Sequence, residues 1–329
     1  MSDSKKVSIV GTGSYIPEKI LTNAYFQKIV DTTDEWIISR TGIKERHVVD
    51  ENEATSDLAV RAAQNALAAA NLAPEDLDVI VIGTVTPDHV FPSTACYVQC
   101  KLGARQIPAF DVSAACSGFL YALNTGYQYI SNGPYKNALV IGAECLTRIT
   151  DYKDRNTCIL FGDGAGAVIL QKSDTGHEIL YTNVAADGSG AEMMYMPAGG
   201  SKRPPSHKTI DERQHFIQLR GREVFRFAVL KMTQQIKESL AKTHLKIEDI
   251  TLIVPHQVNM RILEAAAEKL GISMDRLVIN IEKRGNSSSA SLPMALDEVA
   301  RSGRLKKGDY IILVAFGGGL TWGSTVIRW

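Results

Sequence analysis

The chain has 329 residues, of which 45% are hydrophobic and 22% are charged, a composition typical of a globular protein with a substantial core. Its 36 basic residues balance its 36 acidic residues, so the formal net charge is zero. A neutral chain is not predicted to bind nucleic acid or a membrane surface through its overall charge. No signal peptide is visible at the N-terminus, and no apolar stretch approaches the roughly 20 residues of a membrane helix. We therefore expect a cytoplasmic protein.

Five cysteines occur, an odd number that argues against a disulfide framework. Cys96 and Cys100 have no neighbouring His or Cys that would complete a zinc site. Gly11-Thr12-Gly13 follows a predicted strand at Val7–Val10, but Ile16 stands where a dinucleotide-binding loop needs its third glycine. We therefore predict neither a metal site nor a cofactor.

Strand-like and helical patterns alternate along the chain, which is typical of an α/β fold. After the strand at 7–10, a helix ends near residue 70 and leads into a buried strand that ends at 81. The remaining predicted elements of the first half are, in chain order, a helix ending at 103, a strand at 110–112, a helix over 119–130 and strands at 138–142 and 166–170.

The same order of elements returns about 173 residues later. Leu67–Val81 and Leu240–Val254 each contain a helix end, a turn ending Glu-Asp and a buried strand. The strands predicted at 110–112, 138–142 and 166–170 are matched at 279–281, 310–314 and 323–327. We infer two similar α/β halves, residues 1–172 and 173–329, related by a pseudo-twofold axis. Residues 198–215, rich in Gly, Pro, Lys and Ser, are predicted to form an exposed insertion.

Cys116 lies between the strand at 110–112 and the helix that comes after it. The unpaired N–H groups and the dipole at a helix N-terminus favour a thiolate, and the small neighbours Ala115 and Ser117 leave room for a substrate. Cys116 is therefore a candidate nucleophile. The alternative is that Cys116 is a small buried core residue, which is the interpretation we adopt for the other four cysteines.

Two polar residues stand at corresponding junctions of the second half. His256 follows a buried strand that ends at Pro255, and ligands bind at the carboxyl ends of such strands. Asn286 opens the helix that repeats the cysteine helix, at nearly the position of Cys116. A hydrogen-bonded structural histidine and a helix-capping asparagine are the alternatives. If the halves meet at the pseudo-axis, all three residues face one site.

With this triad, the chain resembles the β-ketoacyl-acyl carrier protein synthase III family, the initiating condensing enzymes of bacterial-type fatty acid synthesis. The resemblance covers essentially the whole chain, and its other motifs are Gly11–Gly13, Asp34–Ile37, Arg40–Ile43, Phe161–Gly166 and Gly317–Gly323. It implies a thiolase-like fold with layered αβαβα architecture and a homodimer. It also implies decarboxylating condensation of an acyl-CoA primer with malonyl-acyl carrier protein, through an acyl-Cys116 intermediate and without a cofactor.

The resemblance further implies roles for individual residues. The His256 ring and the Asn286 amide would stabilise an enolate oxygen, and the backbone N–H groups of Cys116 and Gly318 would hold a tetrahedral oxyanion. The implied contacts with CoA and substrate are Trp36 and Arg155 around the adenine, Thr32 on the nucleotide, Arg40 at the phosphates, Asn259 on the pantetheine arm and Phe316 beside the malonyl group.

Phe91 is implied to close the acyl pocket of the partner subunit across the dimer. Arg226, Arg261 and Lys269 are implied to dock acyl carrier protein, although Glu268 occupies a position that is basic in some relatives. Two alternatives remain open: a secondary-metabolism condensing enzyme of the same family with another acyl donor or acceptor, and a catalytically inactive acyl-binding module. The chain length and branching of the primer do not follow from the sequence.

Overall fold

Thirteen strands and eleven α-helices alternate along residues 6–329, which the computed structural model describes. The strands are β1 (Val7–Tyr15), β2 (Lys19–Thr22), β3 (Glu45–Val48), β4 (Val79–Gly83), β5 (Ala109–Val112), β6 (Asn137–Cys145), β7 (Asp163–Lys172), β8 (His177–Ala186), β9 (Met194–Tyr195), β10 (Gln218–Leu219), β11 (Ile250–Pro255), β12 (Tyr310–Gly317) and β13 (Thr321–Arg328). The helices are α1 (Asn23–Phe26), α2 (Asp34–Thr41), α3 (Thr55–Ala70), α4 (Thr94–Leu102), α5 (Gly118–Asn132), α6 (Arg155–Cys158), α7 (His207–Asp211), α8 (Gly221–Thr243), α9 (Met260–Leu270), α10 (Ile281–Arg284) and α11 (Ser291–Arg301).

Nine strands form one sheet in the order β11-β12-β13-β8-β1-β7-β6-β4-β5. Outward from β1, the neighbours β7 and β6 are added antiparallel, and β4 and β5 are added parallel. Outward from β8, β13 and β12 are likewise added antiparallel and β11 is added parallel. The two series meet where β1 and β8 pair antiparallel.

The strand predicted at 279–281 is wrong. In this region only Leu277 forms a bridge, a parallel one to Ile253, and α10 begins at Ile281. The backbone N–H groups of Asn280 and Ile281 instead donate to the side-chain oxygen of Gln257. A side chain thus takes the hydrogen bonds that a strand would have used.

The pairing of the strands also corrects the alignment of the two halves by one residue. Ala138 pairs with Val79, and Ile311 pairs with Leu252, 173 residues further along the chain. Ala138 therefore corresponds to Ile311, and the sequence alignment that matched it with Tyr310 is wrong. Ala138 and Ile311 both belong to the central apolar cluster, and a slip of one residue would turn the side chain to the opposite face of the sheet.

Five layers result from the alternation of apolar side chains along the strands. On β6, Val140 packs in the central cluster with α5 and α11, whereas Ile141 packs with α3 and α4 on the other face. On β12, Leu313 faces the central cluster and Val314 packs with α8 and α9. The helices α5 and α11 thus lie between the two parts of the sheet, and the predicted αβαβα architecture is confirmed.

The strand β1 continues through Gly11-Thr12-Gly13 to Tyr15, so these residues form no loop. A Cβ atom built on Gly11 would lie 2.4 Å from the Ala66 carbonyl oxygen of α3, and one on Gly13 would lie 2.3 Å from the Ala66 nitrogen. Both glycines therefore allow α3 to pack directly on the strand.

The predicted insertion at 198–215 lies between the short paired strands β9 and β10 and contains α7. Most of its residues are exposed, as expected. The Arg213 guanidinium and the Asp151 carboxylate form an ion pair that ties the segment to the first part of the chain. In residues 6–329, no helix has the length and hydropathy needed to cross a membrane.

Candidate active site

Two strained turns of the same construction meet at the centre of the molecule. Ala115 and Ser288 have φ values of 46° and 47°, in the left-handed region that non-glycine residues rarely adopt. Each begins a single turn of 3₁₀ helix, Ala115–Ser117 and Ser288–Ala290, that leads directly into α5 or α11. The two turns contact each other. Such strain is often concentrated at functional sites.

This correspondence refines the predicted position of Asn286. Because Ala115 matches Ser288, Cys116 matches Ser289, and Asn286 lies three residues earlier in its own half. The Ser289 hydroxyl donates to the Gly83 carbonyl oxygen at 2.6 Å. The second half thus has a structural serine at the place where the first half has its cysteine.

Cys116 is buried, with 6% of its surface exposed. Burial raises the pKa of its thiol to about 12, because a thiolate loses more solvation than a thiol when water is excluded. The side chain is therefore a thiol at neutral pH. Burial thus opposes the thiolate that the helix N-terminus favours.

His256 is held at the end of β11 by contacts on its backbone and on one ring nitrogen. Its backbone N–H donates to the Val314 carbonyl oxygen at 2.8 Å, and its Nδ1 lies 2.6 Å from the Ser291 hydroxyl oxygen. Its Nε2 is buried and has no hydrogen-bond partner among residues 6–329. Burial lowers the pKa of the ring to about 3, so the imidazole is neutral at physiological pH.

Asn286 is clamped by backbone and side-chain hydrogen bonds. Its N–H donates to the Leu160 carbonyl oxygen at 2.9 Å, and its carbonyl oxygen accepts from the Gly162 N–H at 3.0 Å. Its side-chain Oδ1 accepts from the Ser288 N–H at 2.9 Å. The side-chain oxygen is thus occupied, and the amide NH₂ group remains available to donate to a ligand.

These three residues line one cavity of about 510 Å³. Gly317 belongs to the same lining, and a Cβ atom built on it would lie 2.6 Å from the Cys116 backbone nitrogen. Only glycine leaves room beside that N–H group. The cavity therefore combines a thiol, an unpaired ring nitrogen and a free amide donor.

Comparison with known proteins agrees with this arrangement. Residues 110–188 match the family model described as 3-oxoacyl-[acyl-carrier-protein] synthase III, and residues 240–329 match the model of its C-terminal part. The β-ketoacyl-[acyl-carrier-protein] synthase III of Caldanaerobacter subterraneus subsp. tengcongensis is 54% identical over 100% of this chain and 99% of its own. The enzyme of that name from Desulfitobacterium hafniense is 51% identical, covering 98% of each chain.

Among solved structures, the 3-oxoacyl-[acyl-carrier-protein] synthase III of Aquifex aeolicus superposes with a TM-score of 0.90 at 47% identity, covering 98% of this chain and 100% of the other. The chain belongs to the β-ketoacyl-acyl carrier protein synthase III family. The predicted family and fold are therefore confirmed.

The residues predicted to bind CoA lie only in part in the cavity lining. Trp36 and Arg40 belong to its lining, and the Arg155 guanidinium lies over the Trp36 ring, 4.2 Å from its centroid. This spacing is a direct cation–π contact, with no room for a purine between the two groups. A stacked adenine would therefore require Arg155 to move. Thr32 stands four residues before Trp36 in the sequence. Its hydroxyl oxygen is buried and has no hydrogen-bond partner among residues 6–329.

Asn259 and Phe316 line the same cavity. The Asn259 side chain caps α9 by accepting from the Arg261 N–H and donates to the Arg40 carbonyl oxygen at 2.9 Å. Asn259 thus joins α9 to α2, and its second amide N–H and a further lone pair of its oxygen are free for a ligand. The Phe316 ring packs edge-on against the His256 ring at 5.9 Å between centroids.

The remaining predicted residues lie outside the cavity lining. Arg226 on α8 and both Arg261 and Lys269 on α9 are exposed, and none of the three forms an ion pair within residues 6–329. Phe91 is 83% exposed in the segment between β4 and α4. Gly318 is buried beside Ala115, where a Cβ atom would come within 2.9 Å of the Met194 carbonyl oxygen.

Three kinds of residue near the site were not predicted from the sequence. Arg222 and Phe225 on α8 line the cavity, but the sequence pattern of α8 does not indicate which face of the helix borders a cavity. Ser291 contacts His256, and the only sequence feature that pointed to it was its position in a serine-rich helix start. Glu144 is fully buried at the end of β6 and accepts from the Thr86 hydroxyl at 2.7 Å, and its Oε1 lies 3.1 Å from the Ser289 hydroxyl oxygen.

Cys96 and Cys100 are exposed free thiols on α4. No group of three or more His, Cys, Asp or Glu side chains that could hold a metal ion occurs in the part of the chain that the structure describes.

Proposed function

We propose that the protein condenses an acyl-CoA primer with malonyl-acyl carrier protein to give a 3-oxoacyl-acyl carrier protein, the initiating step of fatty acid synthesis. Family membership over the whole chain supports this assignment. The observation that carries it is the arrangement around Cys116. The neutral His256 ring and the Asn286 amide line the cavity of the thiol and keep polar atoms free for a ligand.

The first half-reaction is transfer of the acyl group to Cys116. The sulfur attacks the thioester carbonyl, the bond to the CoA sulfur breaks, and the thiol proton leaves with CoA as its thiol. The backbone N–H groups of Cys116 and Gly318 stabilise the tetrahedral oxyanion. Burial favours the thiol form of Cys116 at rest, so acyl transfer includes loss of the thiol proton.

The second half-reaction needs donors and no strong base. Loss of CO₂ from the malonyl thioester leaves an enolate, whose oxygen accepts hydrogen bonds from His256 and Asn286. The enolate carbon attacks the acyl thioester, the bond to Cys116 breaks, and the sulfur takes up a proton from solvent. A ring with a pKa of about 3 cannot act as a cation at neutral pH, so a neutral N–H donor is the role that fits His256.

The mouth of the cavity accommodates the rest of the substrate. In this proposal, Arg155 swings away from Trp36 so that adenine stacks between them. The unpaired Thr32 hydroxyl binds the nucleotide, and Arg40 binds its phosphates. Asn259 holds the pantetheine arm through its second amide N–H and its remaining lone pair. Phe316 packs beside the malonyl group.

The assembly and the partner surface are further parts of the proposal. Phe91 and its neighbour Val90 are 83% and 90% exposed, and side chains of this kind fit an apolar interface with a second copy of the chain. In the homodimer, Phe91 closes the acyl pocket of the partner subunit. The exposed cations Arg226, Arg261 and Lys269 dock the acidic acyl carrier protein.

We also propose that residues 1–172 and 173–329 are two pseudo-symmetric halves and that the protein acts in the cytoplasm. The matching strand series outward from β1 and β8 supports the division into halves. The alternative of a secondary-metabolism enzyme keeps the same mechanism and differs in its acyl donor or acceptor. Two of the relatives above 50% identity, both named as synthase III, favour the fatty acid pathway.

Labelled acetyl-CoA tests the function directly. The wild-type protein should become labelled on Cys116, and malonyl-acyl carrier protein should then discharge the label as a 3-oxoacyl product. The Cys116→Ala variant should lose both reactions. Cys145→Ala is the matched control, because Cys145 is also buried and burial also raises its pKa, but it does not line the cavity. Label that persists in Cys116→Ala would place the nucleophile elsewhere, and a wild-type protein without label would indicate an inactive acyl-binding module.

A further inference from the structure

We propose that Ser291 is a positioning residue that fixes His256 in the tautomer with its proton on Nε2. The inference rests on the proposed function, because only this tautomer donates a hydrogen bond from Nε2 to an enolate oxygen. Ser291 is the first residue of α11 and is 1% exposed. Its Oγ lies 2.6 Å from His256 Nδ1.

The surroundings of His256 make Nδ1 the nitrogen that decides the tautomer. The ring is neutral and carries a single N–H, because burial lowers its pKa to about 3. Its Nε2 has no partner in residues 6–329. In a neutral imidazole, the hydrogen bond at one nitrogen determines whether the other is protonated. Nε2 is therefore protonated if the Ser291 hydroxyl donates to Nδ1, and unprotonated if Nδ1–H donates to the Ser291 oxygen.

The Ser291 hydroxyl has one proton and three polar neighbours. The Gln257 N–H donates to its oxygen at 3.3 Å and so takes up a lone pair. The proton itself goes either to His256 Nδ1 at 2.6 Å or to the Ser288 carbonyl oxygen at 2.9 Å.

Two features favour His256 as the acceptor of this proton. The Ser288 carbonyl oxygen already accepts the backbone N–H of Ser291, so it is satisfied without the hydroxyl. His256 Nδ1 is closer and has no other partner in the described chain. The hydroxyl therefore donates to Nδ1, and Nε2 carries the N–H.

Kinetics of the two half-reactions test this role. Ser291→Ala should slow malonyl decarboxylation about 10- to 100-fold, the size of effect known for groups that orient metal-ligating histidines. Labelling of Cys116 by acetyl-CoA should change less than about threefold, because it needs no donor from His256. Ser291→Thr keeps a hydroxyl at this position and should recover most of the decarboxylation rate. Ser302→Ala, an exposed serine at the other end of α11, is the matched control.

Nitrogen NMR reads the tautomer without relying on activity. Wild-type protein labelled with ¹⁵N-histidine, with the His256 signals assigned by their loss in His256→Gln, should show a protonated Nε2 and an unprotonated Nδ1. In Ser291→Ala the signals should move towards a mixture of tautomers.

The outcomes separate this inference from the proposed function. A proton on Nδ1 in the wild-type protein would overturn the inference, even if Ser291→Ala failed to fold. Equal loss of both half-reactions in Ser291→Ala, with no recovery in Ser291→Thr, would assign Ser291 a structural role alone. A wild-type protein that neither labels nor releases CO₂ would refute the proposed function, and the NMR spectrum would still report the tautomer.

Discussion

At the scale of single residues, burial sets the chemistry of the site. It leaves Cys116 as a thiol and His256 as a neutral ring, since each charged form would lose its solvation. Asn286 gains its function from orientation, because the Ser288 N–H occupies its oxygen. Residue types alone do not contain this information.

The division of labour between these residues predicts unequal effects on the two half-reactions. His256→Ala or Asn286→Ala should slow malonyl decarboxylation by about 10²- to 10³-fold, because each removes one donor to the enolate oxygen. Acyl transfer to Cys116 should fall much less, since its oxyanion uses backbone N–H groups. Release of labelled CO₂ and labelling of the protein measure the two steps separately.

His207→Ala provides the control for the histidine variant, because His207 is exposed on α7. Equal losses in both half-reactions would show that His256 and Asn286 serve acyl transfer as well, and the proposed division would be wrong.

At the scale of elements, the function depends on the segments at the carboxyl ends of the strands. Cys116 comes after β5, His256 comes after β11, and the segment between β4 and α4 carries Phe91. Phe91 is 83% exposed, so it packs in no core of its own subunit. This segment is free to serve another subunit.

Phe91→Ala should therefore change primer selection and leave the folding of the subunit intact. If Phe91 closes the partner's acyl pocket, its truncation admits longer primers and raises their rates relative to acetyl-CoA. Steady-state rates with acyl-CoA primers of increasing length, measured beside a melting curve, test this expectation.

Ile210→Ala is the control for loss of an exposed apolar side chain, because Ile210 is 60% exposed on α7. A length profile identical to that of the wild-type protein would argue against the contact across the dimer.

At the scale of the whole molecule, buried carboxyl groups couple stability to pH. Burial raises the pKa of Glu144 to about 7 and that of Asp163 to about 6, from ordinary values of 4.5 and 3.8. At a pH between the ordinary and the raised pKa of each carboxyl group, the native state keeps a proton that the unfolded chain releases. The free energy of unfolding therefore falls as pH rises through about 4 to 7. His256 acts in the opposite direction, since the unfolded chain alone binds its proton below about 6.5.

Glu144→Gln should remove the contribution of Glu144 to this pH dependence. We compare the free energy of unfolding of the variant with that of the wild type. Between pH 4.5 and 7 the variant should gain on the order of 3 kcal/mol relative to the wild type, and above pH 7 the difference should stay constant. Melting temperatures from pH 4 to 9 measure the trend. Glu264→Gln, at an exposed position on α9, should run parallel to the wild type. If the melting temperature of Glu144→Gln changed with pH just as that of the wild type does, the pKa of Glu144 would not be raised in the native protein.

The sequence by itself determined the alternation of strands and helices, the repeat of about 173 residues and the junctions that carry Cys116, His256 and Asn286. These features are local, because hydrophobic periodicity and helix starts are encoded by residues close along the chain. The resemblance carried by the same motifs determined the family and the layered fold.

The tertiary structure alone decided which atoms are free to react. The strand expected at 279–281 is absent because the Gln257 side chain takes its backbone hydrogen bonds, and burial raises the pKa of the Cys116 thiol against the effect expected from the helix N-terminus. The contact between Ser291 and His256 joins residues 35 positions apart. Burial and such long-range hydrogen bonds depend on how distant segments pack, and no local pattern in a sequence records that packing.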